Sequence, residues 1–398
     1  MGADLASFNA ILKEDYLPPI IDMLNNKILL WNRLKRNSEF ISGKEAVIPL
    51  KIGRNRGMGS RAEGGTLPTA GKQRHANARY GMKYHYGRIK ITGPVIAAAR
   101  DDDGAFGRAM DIEVDGLIKD FSREMNTQFN GDGTGRLATI VTATSSTAWI
   151  MDSVINLEVD DEIDCYTHAN PGTYRGTAKI LTVDPATKGI TLDTAIAGGI
   201  ATDAIYRKGN RDTDSFNVSS GLYDIIDDAN PLAGNLGGIN RTTTPYWRAN
   251  VTDAGAAPLS MEMIEEMLDK IDINGDGEVS AFYTNHYQAR KLGAQLIPDR
   301  RFVSEGQVMK LDGGRKVTTY DDLPIFKDRH APAGKFACVD ESTIEFQQMS
   351  EIEWMDLDGA ILQRVPNEDA YEGTLFLYGN LVGKDMANNG MIENLEEA

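Results

Sequence analysis

A long polar, basic and glycine-rich segment between two strand-like patterns constrains this chain more than any other feature. Residues 46–52 and 84–91 alternate along the chain and are rich in strand-forming types. The segment between them contains almost nothing apolar. We predict a hairpin that leaves the body of the protein and gains order on a partner, because isolated hairpins are marginally stable in water. A disordered loop is the alternative, although long structureless loops in compact domains are uncommon and usually functional.

The charge of this segment differs from that of the rest of the chain. Ten basic residues lie from Lys51 to Lys90 with Glu63 as the one acid, so the segment carries +9. Because the whole chain carries −16, the remainder carries −25. This balance argues against general nucleic-acid binding through a basic surface. It favours head-to-tail association, in which the basic hairpin of one copy meets the acidic body of the next.

One long amphipathic helix follows. Acidic residues 101–103 offer caps and place negative charge at the positive end of the helix dipole. Apolar residues then recur at steps of three and four as far as Phe129, and Asn130-Gly131 ends the pattern. The apolar stripe consists of Phe106, Met110, Val114, Leu117, Ile118, Phe121, Met125 and Phe129. One such stripe is typical of a helix that packs against the core and has a structural role, rather than of an active-site element.

The remainder of the chain predicts a mixed α+β fold. Residues 147–208 contain short strand patterns at 154–159, 162–166, 178–183 and 190–192, separated by turn signals, and we predict a small all-β insertion of the barrel or sandwich type. In the C-terminal half we predict helices at 261–271 and 286–296. We predict strands there at 279–283, 336–339, 344–346 and 374–377, with a loop over 300–323.

The best local motif match resembles the start of an EF-hand calcium loop at residues 272–280. Position twelve of that loop should supply a bidentate carboxylate, and here it is Tyr283. We favour a polar helix-to-strand turn, and a calcium-binding or carbohydrate-active protein remains the alternative. The glycine-rich residues 131–135 follow a helix, whereas a phosphate-binding loop precedes one. We find no catalytic constellation, and predict no enzyme activity, cofactor or metal site.

Cysteine content and hydropathy indicate the cellular compartment that we expect for this chain. No apolar run is long enough to span a bilayer, and the first residues lack the basic and apolar blocks of a secretory signal. Cys165 and Cys338 lie far apart and in no metal-ligand spacing. We expect two buried free thiols in a reducing cytoplasm.

The order of these parts resembles the major capsid proteins of tailed bacteriophages with the HK97-like fold. Four places carry the resemblance: residues 61–68, like the tip of the family's E-loop; residues 129–135, like the end of its spine helix; residues 236–241 with 245–247, like its Gly-Ile-Asp-Arg … Pro-x-Trp segment; and residues 371–373 with 379–381, where its last P-domain strands are expected. The resemblance covers most of the chain, and its weight lies in the order of the phrases.

The resemblance implies an α+β, HK97-like capsid fold with a defined order of parts. These are an N-terminal arm (1–41), the extended basic hairpin or E-loop (42–98), the long spine helix and start of the P-domain (99–146), the β-rich insertion (147–208), a P-domain connection (209–258), the A-domain (259–335), and the A-domain return with the C-terminal P-domain strands (336–398). The subunit interface is predicted to use Arg54, Arg56, Arg61, Glu63, Arg74 and Arg79.

The implied function is that of a structural subunit in an icosahedral virion, assembled in the cytoplasm of a bacterial host. Expected partners are other copies of the chain in hexamers and pentamers, scaffolding, portal or decoration proteins, and packaged DNA without sequence specificity, but no membrane. An encapsulin-like shell that packages cargo enzymes is the alternative within the same fold.

Overall fold

Twenty β-strands and five α-helices build the described part of the chain. The computed structural model describes residues 29–93, 103–232, 234–275, 277–296, 318–356 and 362–397. The helices are α1 (Leu29–Arg33), α2 (Asp103–Phe129), α3 (Leu222–Ile225), α4 (Met261–Gly275) and α5 (His286–Leu296). Most of the predicted N-terminal arm and of the predicted loop over 300–323 lies outside the described residues.

The strands fall along the chain in the following order. The first ten are β1 (Lys35–Asn37), β2 (Ile41–Ser42), β3 (Glu45–Gly53), β4 (Arg74–Gly81), β5 (Lys83–Thr92), β6 (Arg136–Ala143), β7 (Ala148–Met151), β8 (Glu162–Tyr166), β9 (Tyr174–Asp184) and β10 (Gly189–Leu192). The second ten are β11 (Ala204–Arg207), β12 (Asn250–Asp253), β13 (Ala281–Thr284), β14 (Thr318–Tyr320), β15 (Leu323–Lys327), β16 (Phe336–Val339), β17 (Ile344–Trp354), β18 (Leu362–Arg364), β19 (Ala370–Gly383) and β20 (Gly390–Glu393).

Helix α2 confirms the predicted long amphipathic helix. It runs for 27 residues and ends at Phe129, directly before the Asn-Gly stop signal. The described part of its apolar stripe is buried against the main core at Val114, Ile118, Phe121, Met125 and Phe129. Phe129 meets Phe346 of β17 edge to face, with ring centroids 5.4 Å apart. The helix therefore packs across one face of a sheet.

That sheet has five strands in the order β1-β17-β19-β18, with β5 also paired to β19. Strands β5 and β19 are antiparallel over ten register pairs, from Ala370↔Thr92 to Gly379↔Lys83. The prediction that residues 84–91 form the second strand of the basic hairpin is therefore wrong. The alternation identified a strand, but its partner comes from almost 300 residues later in the chain, which no local pattern can indicate.

The hairpin itself is formed by β3 and β4. They pair in antiparallel register from Glu45↔Gly81 to Gly53↔Arg74, and β2 adds a short third strand. The sequence pattern placed the strand that follows the tip at residues 84–91, whereas residues from Arg74 onward already belong to β4. Only Ala78 and Tyr80 of β4 are buried, so its mostly polar sequence hid the strand. The irregular tip is thus confined to residues 54–73.

The β-rich segment is a closed six-stranded barrel in the order β10-β7-β6-β11-β8-β9. It begins at Arg136 rather than at residue 147, because β6 closes the barrel between β7 and β11. The predicted strand at 154–159 is wrong. Its backbone hydrogen bonds are those of local turns, such as Leu157 N–H to the Val154 carbonyl at 3.2 Å. The barrel has its own apolar core.

A six-stranded mixed sheet completes the fold, in the order β12-β20-β16-β13-β15-β14. Its core includes buried residues of α4 and α5, among them Ile264, Met267 and Leu292. The predicted helices at 261–271 and 286–296 and the strand at 336–339 are confirmed, and the strands at 344–346 and 374–377 lie within β17 and β19. The predicted strand at 279–283 begins at Ala281. The mixed α+β class is confirmed.

Candidate subunit-assembly surface

The tip of the basic hairpin is shaped by a tight turn. The N–H of Gly65 donates to the carbonyl oxygen of Ala62 at 2.9 Å, and Gly64 adopts a φ of 76°. A residue with a side chain rarely adopts this left-handed conformation, so the turn favours glycine. The Arg61 guanidinium bridges the turn by donating to the carbonyls of Ser60 and Thr66, both at 2.9 Å.

The two arms of the tip cross closely below this turn. A Cβ on Gly57 would lie 2.5 Å from the backbone nitrogen of Gly71, and a Cβ on Gly71 would lie 2.2 Å from Oδ1 of Asn55. The same Asn55 oxygen accepts the N–H of Gly57 at 2.7 Å. Glycine at 57 and 71 is therefore required for the arms to approach, and the tip has a defined shape.

The six residues predicted for the interface are all exposed, yet they differ in what they contact. Arg61 is engaged within the tip, and Arg79 pairs with Glu45 across the hairpin at 3.3 Å. The side chains of the other four make no hydrogen bond or ion pair with any described residue: Arg54, Arg56, Glu63 and Arg74. The hairpin therefore presents three exposed guanidinium groups without a described partner.

Two apolar side chains at the tip were missed by the sequence analysis. Met58 is 79% exposed and Leu67 is 82% exposed, at opposite sides of the turn. They are the large apolar residues of an otherwise polar and glycine-rich stretch. Their presence in such a stretch is the sequence signal that could have identified them. Exposed apolar groups on a projecting element indicate a contact surface.

A second surface lies on the solvent side of the five-stranded sheet, and we call it the tyrosine patch: Tyr84, Tyr86, Phe376 and Tyr378. The register pairs Tyr84 with Tyr378 and Tyr86 with Phe376, so all four rings share one face. The Tyr378 ring centroid lies 5.2 Å from that of Tyr84, 5.9 Å from that of Tyr86 and 4.8 Å from that of Phe376. Tyr84 and Tyr86 remain 50% and 53% exposed.

Charge around the patch is nearly balanced. Arg88 pairs with Glu372, and Lys90 pairs with Glu368. Glu353, the register partner of Phe376, is exposed and pairs with no described cation. Within the patch, the hydrogen bond to Tyr378, together with burial, raises the pKa of Tyr86 to about 12. The patch is thus aromatic and neutral, with a carboxylate at its border.

A cleft of about 450 Å³ lies beside the patch, between α2, β5 and the barrel. Tyr84 and Tyr86 border it, Leu117 and Phe121 of α2 line it, and Asp120 is exposed beside them. The imidazole of His85 also lines the cleft, but its Nε2 is buried without a hydrogen-bond partner. Burial lowers the pKa of His85 to about 4.

The structure also shows where the residues of the EF-hand-like motif and the two cysteines lie. Asp272 and Asn274 lie in the last turn of α4, and the Asn274 amide donates to Oδ1 of Asn250 at 2.7 Å. Helical backbone there differs from the loop that an EF-hand requires. Within the described ranges, no group of three or more His, Cys, Asp or Glu side chains could hold a metal ion. Both cysteines are buried and free, and burial raises the pKa of Cys165 to about 12.

No helix among the described residues combines the length and apolarity needed to cross a membrane. Along α2, the longest of them, charged side chains at Glu113, Asp115, Lys119 and Asp120 are exposed.

The fold is similar to solved structures of shell proteins. The chain matches a cyanophage A-1(L) capsid chain over 94% of both chains, with a TM-score of 0.51 and 13% identity. A chain of the holo-SrpI encapsulin complex from Synechococcus elongatus matches with a TM-score of 0.47 and 8% identity, over 93% of this chain and 89% of that one. A capsid chain of a native GTA particle matches with 0.45 and 10%, over 92% and 90%.

No protein-family model matches the sequence, and neither does any curated protein. The cyanophage match shows that the chain shares its fold with a phage capsid protein, which confirms the predicted HK97-like resemblance at the level of fold.

Proposed function

We propose that this chain is the major capsid subunit of a tailed bacteriophage, a structural protein that self-assembles into an icosahedral head around DNA. The observation that carries the proposal is the fold shared with the cyanophage capsid chain over 94% of both chains. A second observation supports it. The hairpin ends in an exposed tip with apolar groups and with arginine side chains that pair with no described residue, which is the chemistry of a contact with another molecule.

In this proposal the hairpin, as the E-loop of the family, is the element that joins neighbouring subunits. The segment around it carries +9 and the remainder of the chain −25, so the tip of one copy is attracted to the body of another. Such a contact uses two different surfaces and is heterologous. Heterologous contacts generate rings when the rotation closes, and hexamers and pentamers then close into a shell.

The acidic body also bears on the packaged genome. Tight binding to phosphates needs clustered Lys and Arg side chains. The chain instead has more acidic residues than basic ones, 58 against 42, so most of its surface repels phosphate groups. We propose that DNA is enclosed without sequence-specific contacts and slides along the inner wall. The further partners in this proposal are scaffolding, portal or decoration proteins, and assembly takes place in the bacterial cytoplasm.

The test is electron microscopy of the chain expressed in bacteria, followed by analysis of what purified particles contain. We expect closed icosahedral particles, and nuclease-protected DNA when the packaging proteins of the same virus are present. A subunit that stays monomeric or dimeric by light scattering, across salt and crowding conditions, would exclude the shell function. Particles that hold a cargo enzyme in place of DNA would establish the encapsulin alternative.

A further inference from the structure

We infer that the outer edge of β5, the edge turned away from β19, binds an extended peptide of another protein as an additional strand. The peptide lies in the cleft along residues 84–87 and carries apolar side chains at alternate positions together with a basic side chain. This site goes beyond the proposed function, because it belongs to the single subunit and does not depend on assembly.

One edge of β5 has no strand beside it in the described chain. β5 pairs with β19 in antiparallel register over ten residues, and no other described strand pairs with it. In an antiparallel pair, alternate residues direct their backbone N–H and C=O groups away from the partner strand. Among the described residues, residues 83–92 make no backbone-to-backbone hydrogen bond except those to β19. The outward groups can therefore pair with an added strand.

The cleft runs along this edge. It is lined by four consecutive residues of β5, residues 84–87. Successive side chains of a strand point to opposite faces of the sheet. Tyr84 and Tyr86 lie on the solvent face, whereas a Cβ on Gly87 would lie 3.0 Å from Leu117 of α2 on the other face. A cavity that touches all four residues must follow the edge of the strand, where their backbone lies.

This part of the edge lacks the features that usually prevent pairing with another chain. Native proteins commonly block sheet edges with proline, a bulge or charged side chains. Residues 84–87 contain no Pro, Asp, Glu, Lys or Arg, and no bulge interrupts the register of β5 with β19. Burial lowers the pKa of His85 to about 4, so its imidazole is uncharged at neutral pH. The stretch beside the cleft is therefore open to pairing.

The walls of the cleft indicate the chemistry of the peptide. Leu117, Phe121 and Leu137 line it and fit apolar side chains at every second position of a strand. Asp120 also lines it, is exposed, and forms no ion pair or hydrogen bond with any described residue, so it fits a Lys or Arg side chain. The other charged side chains that line the cleft are in ion pairs: Arg123 with Glu158, Arg207 with Glu124 and Asp161, and Lys208 with Glu162.

The space in the cleft favours a single strand as the occupant. Residues 207–210 and Asn217, at the end of the barrel, close the cleft on the side away from β5. A volume of about 450 Å³ between them admits a short extended segment, but not the edge of a folded sheet. The basic tip of the hairpin is a two-chain element, because its arms approach closely at Gly57 and Gly71. We therefore assign the occupant to another protein.

The first experiment titrates the free subunit with fluorescein-labelled heptapeptides of the sequence Thr-X-Arg-X-Lys-X-Thr, in which X is Val, Leu or Phe. We expect saturable binding at one site per subunit by fluorescence anisotropy, and slower hydrogen exchange at residues 84–87 in the complex. The matched control peptides have methylated nitrogens at their central residues, which keeps the side chains and removes the N–H donors. They should bind about ten-fold more weakly, because strand pairing uses these donors.

Three outcomes of this titration would overturn the inference. The first is the absence of saturable binding by all the peptides. The second is equal binding of the methylated and unmethylated forms, since side chains alone would then explain the affinity. The third is slowed hydrogen exchange that is confined to other strands.

The second experiment tests the charge of the cleft with Asp120→Lys. This variant should bind the peptides about two- to five-fold more weakly, because an exposed attraction becomes a repulsion. Asp115→Lys is the matched control, since Asp115 is exposed on the same helix and does not line the cleft. We expect the control to bind like the unaltered subunit. Equal affinities of the two variants would show that the peptide lies outside the cleft.

The third experiment identifies the occupant in closed particles made from this chain alone. Residues 84–87 should exchange hydrogen there as they do in the free subunit, and more slowly once a peptide is added. Slow exchange before any peptide is added would show that a second copy covers the edge, which overturns the assignment to another protein. If no closed particles form, the proposed function fails, whereas the titration of the free subunit still decides whether the site exists.

Discussion

Tyr86 and Tyr378 meet edge to face on the solvent side of the five-stranded sheet, with ring planes at 74° and hydroxyls 3.4 Å apart. They come from strands β5 and β19, which are distant in sequence and adjacent in register. Tyr378 is the centre of this arrangement, because its ring also contacts Tyr84 and Phe376. The patch therefore exists only in the folded chain.

We predict that Tyr378→Ala destabilises the subunit by about 1–3 kcal/mol, since each aromatic pair contributes about 0.5–1.5 kcal/mol beyond buried area. The measurement is urea unfolding of the free subunit. Tyr246→Ala is the control, because Tyr246 is 56% exposed. Equal losses in the two variants would show that the ring contacts do not stabilise the β5–β19 pair.

His85 should make the subunit sensitive to acid. Burial lowers its folded-state pKa to about 4, below the ordinary value of 6.5. The unfolded chain therefore takes up a proton first, and the stability present above pH 6.5 is lost as the pH falls towards 4. From pH 7 to pH 4.5 the loss due to this group is about 2–3 kcal/mol.

The check is urea unfolding of the wild type and of His85→Leu at both pH values. We expect the difference between pH 7 and pH 4.5 to shrink in the variant by that amount. His75→Leu, on the exposed face of β4, should leave the difference unchanged. An identical acid-induced loss in wild type and His85→Leu would mean that other groups carry it.

Gly379 should tolerate no side chain. A Cβ there would lie 2.4 Å from the Phe346 ring, inside the main core. Overpacking of this kind costs about 1–3 kcal/mol, so Gly379→Ala should lower the free energy of unfolding by that amount. Gly81→Ala in β4 is the matched control, because its Cβ would meet no atom within 4 Å. We expect the control to be neutral or slightly stabilising in the same urea titration.

Local patterns identified several elements of this fold but not their partners. The end of α2 at Phe129 was predictable, because an apolar stripe and an Asn-Gly stop coincide there. The alternation in residues 84–91 identified a strand, yet its pairing with β19 depends on the whole chain. The polar sequence of β4 concealed the true hairpin strand, since only Ala78 and Tyr80 are buried.

The candidate surface was partly predictable for a similar reason. Charge counting indicated a basic tip, but it could not show that Arg61 bridges its own turn or that Arg79 pairs with Glu45. In the Tyr-His-Tyr run of β5, period two places both tyrosines on one face. Their size would suggest the inner face, whereas the structure buries His85 and exposes Tyr84 and Tyr86. Only the packing of α2 decides that choice.

Calcium should not stabilise the chain through residues 272–283. Asp272 and Asn274 belong to α4, and Tyr283 is a buried strand residue whose hydroxyl donates to Glu341. We expect no shift in Tm on addition of millimolar calcium and no heat of binding by titration calorimetry. Saturable heat that disappears in Asp272→Asn would contradict this expectation and establish a calcium site at the helix end.

Reversing the charge of the hairpin should prevent assembly without unfolding the subunit. The side chains of Arg54, Arg56 and Arg74 are exposed and form no hydrogen bond or ion pair with any described residue, so their change to Glu breaks no such bond. Each exposed ion pair contributes about 0.2–1 kcal/mol, and reversal replaces attraction by repulsion. Three such changes should weaken each intersubunit contact about ten-fold or more, since 1.4 kcal/mol is a factor of ten.

The control is a triple change to Glu at Lys179, Lys188 and Lys208 on the barrel. Lys188 and Lys208 are exposed and Lys179 is partly exposed, and Lys179 and Lys208 pair with Asp160 and Glu162. Circular dichroism of both variants should resemble that of the wild type, and urea unfolding should show a loss of about 0.2–1 kcal/mol per broken ion pair in the barrel variant alone. Light scattering and electron microscopy should show closed particles for the barrel variant, and free subunits for the hairpin variant at physiological salt. Because the contact is electrostatic, raised salt should also weaken assembly of the wild type. A hairpin variant that forms particles in normal yield would show that its arginines do not join neighbouring copies.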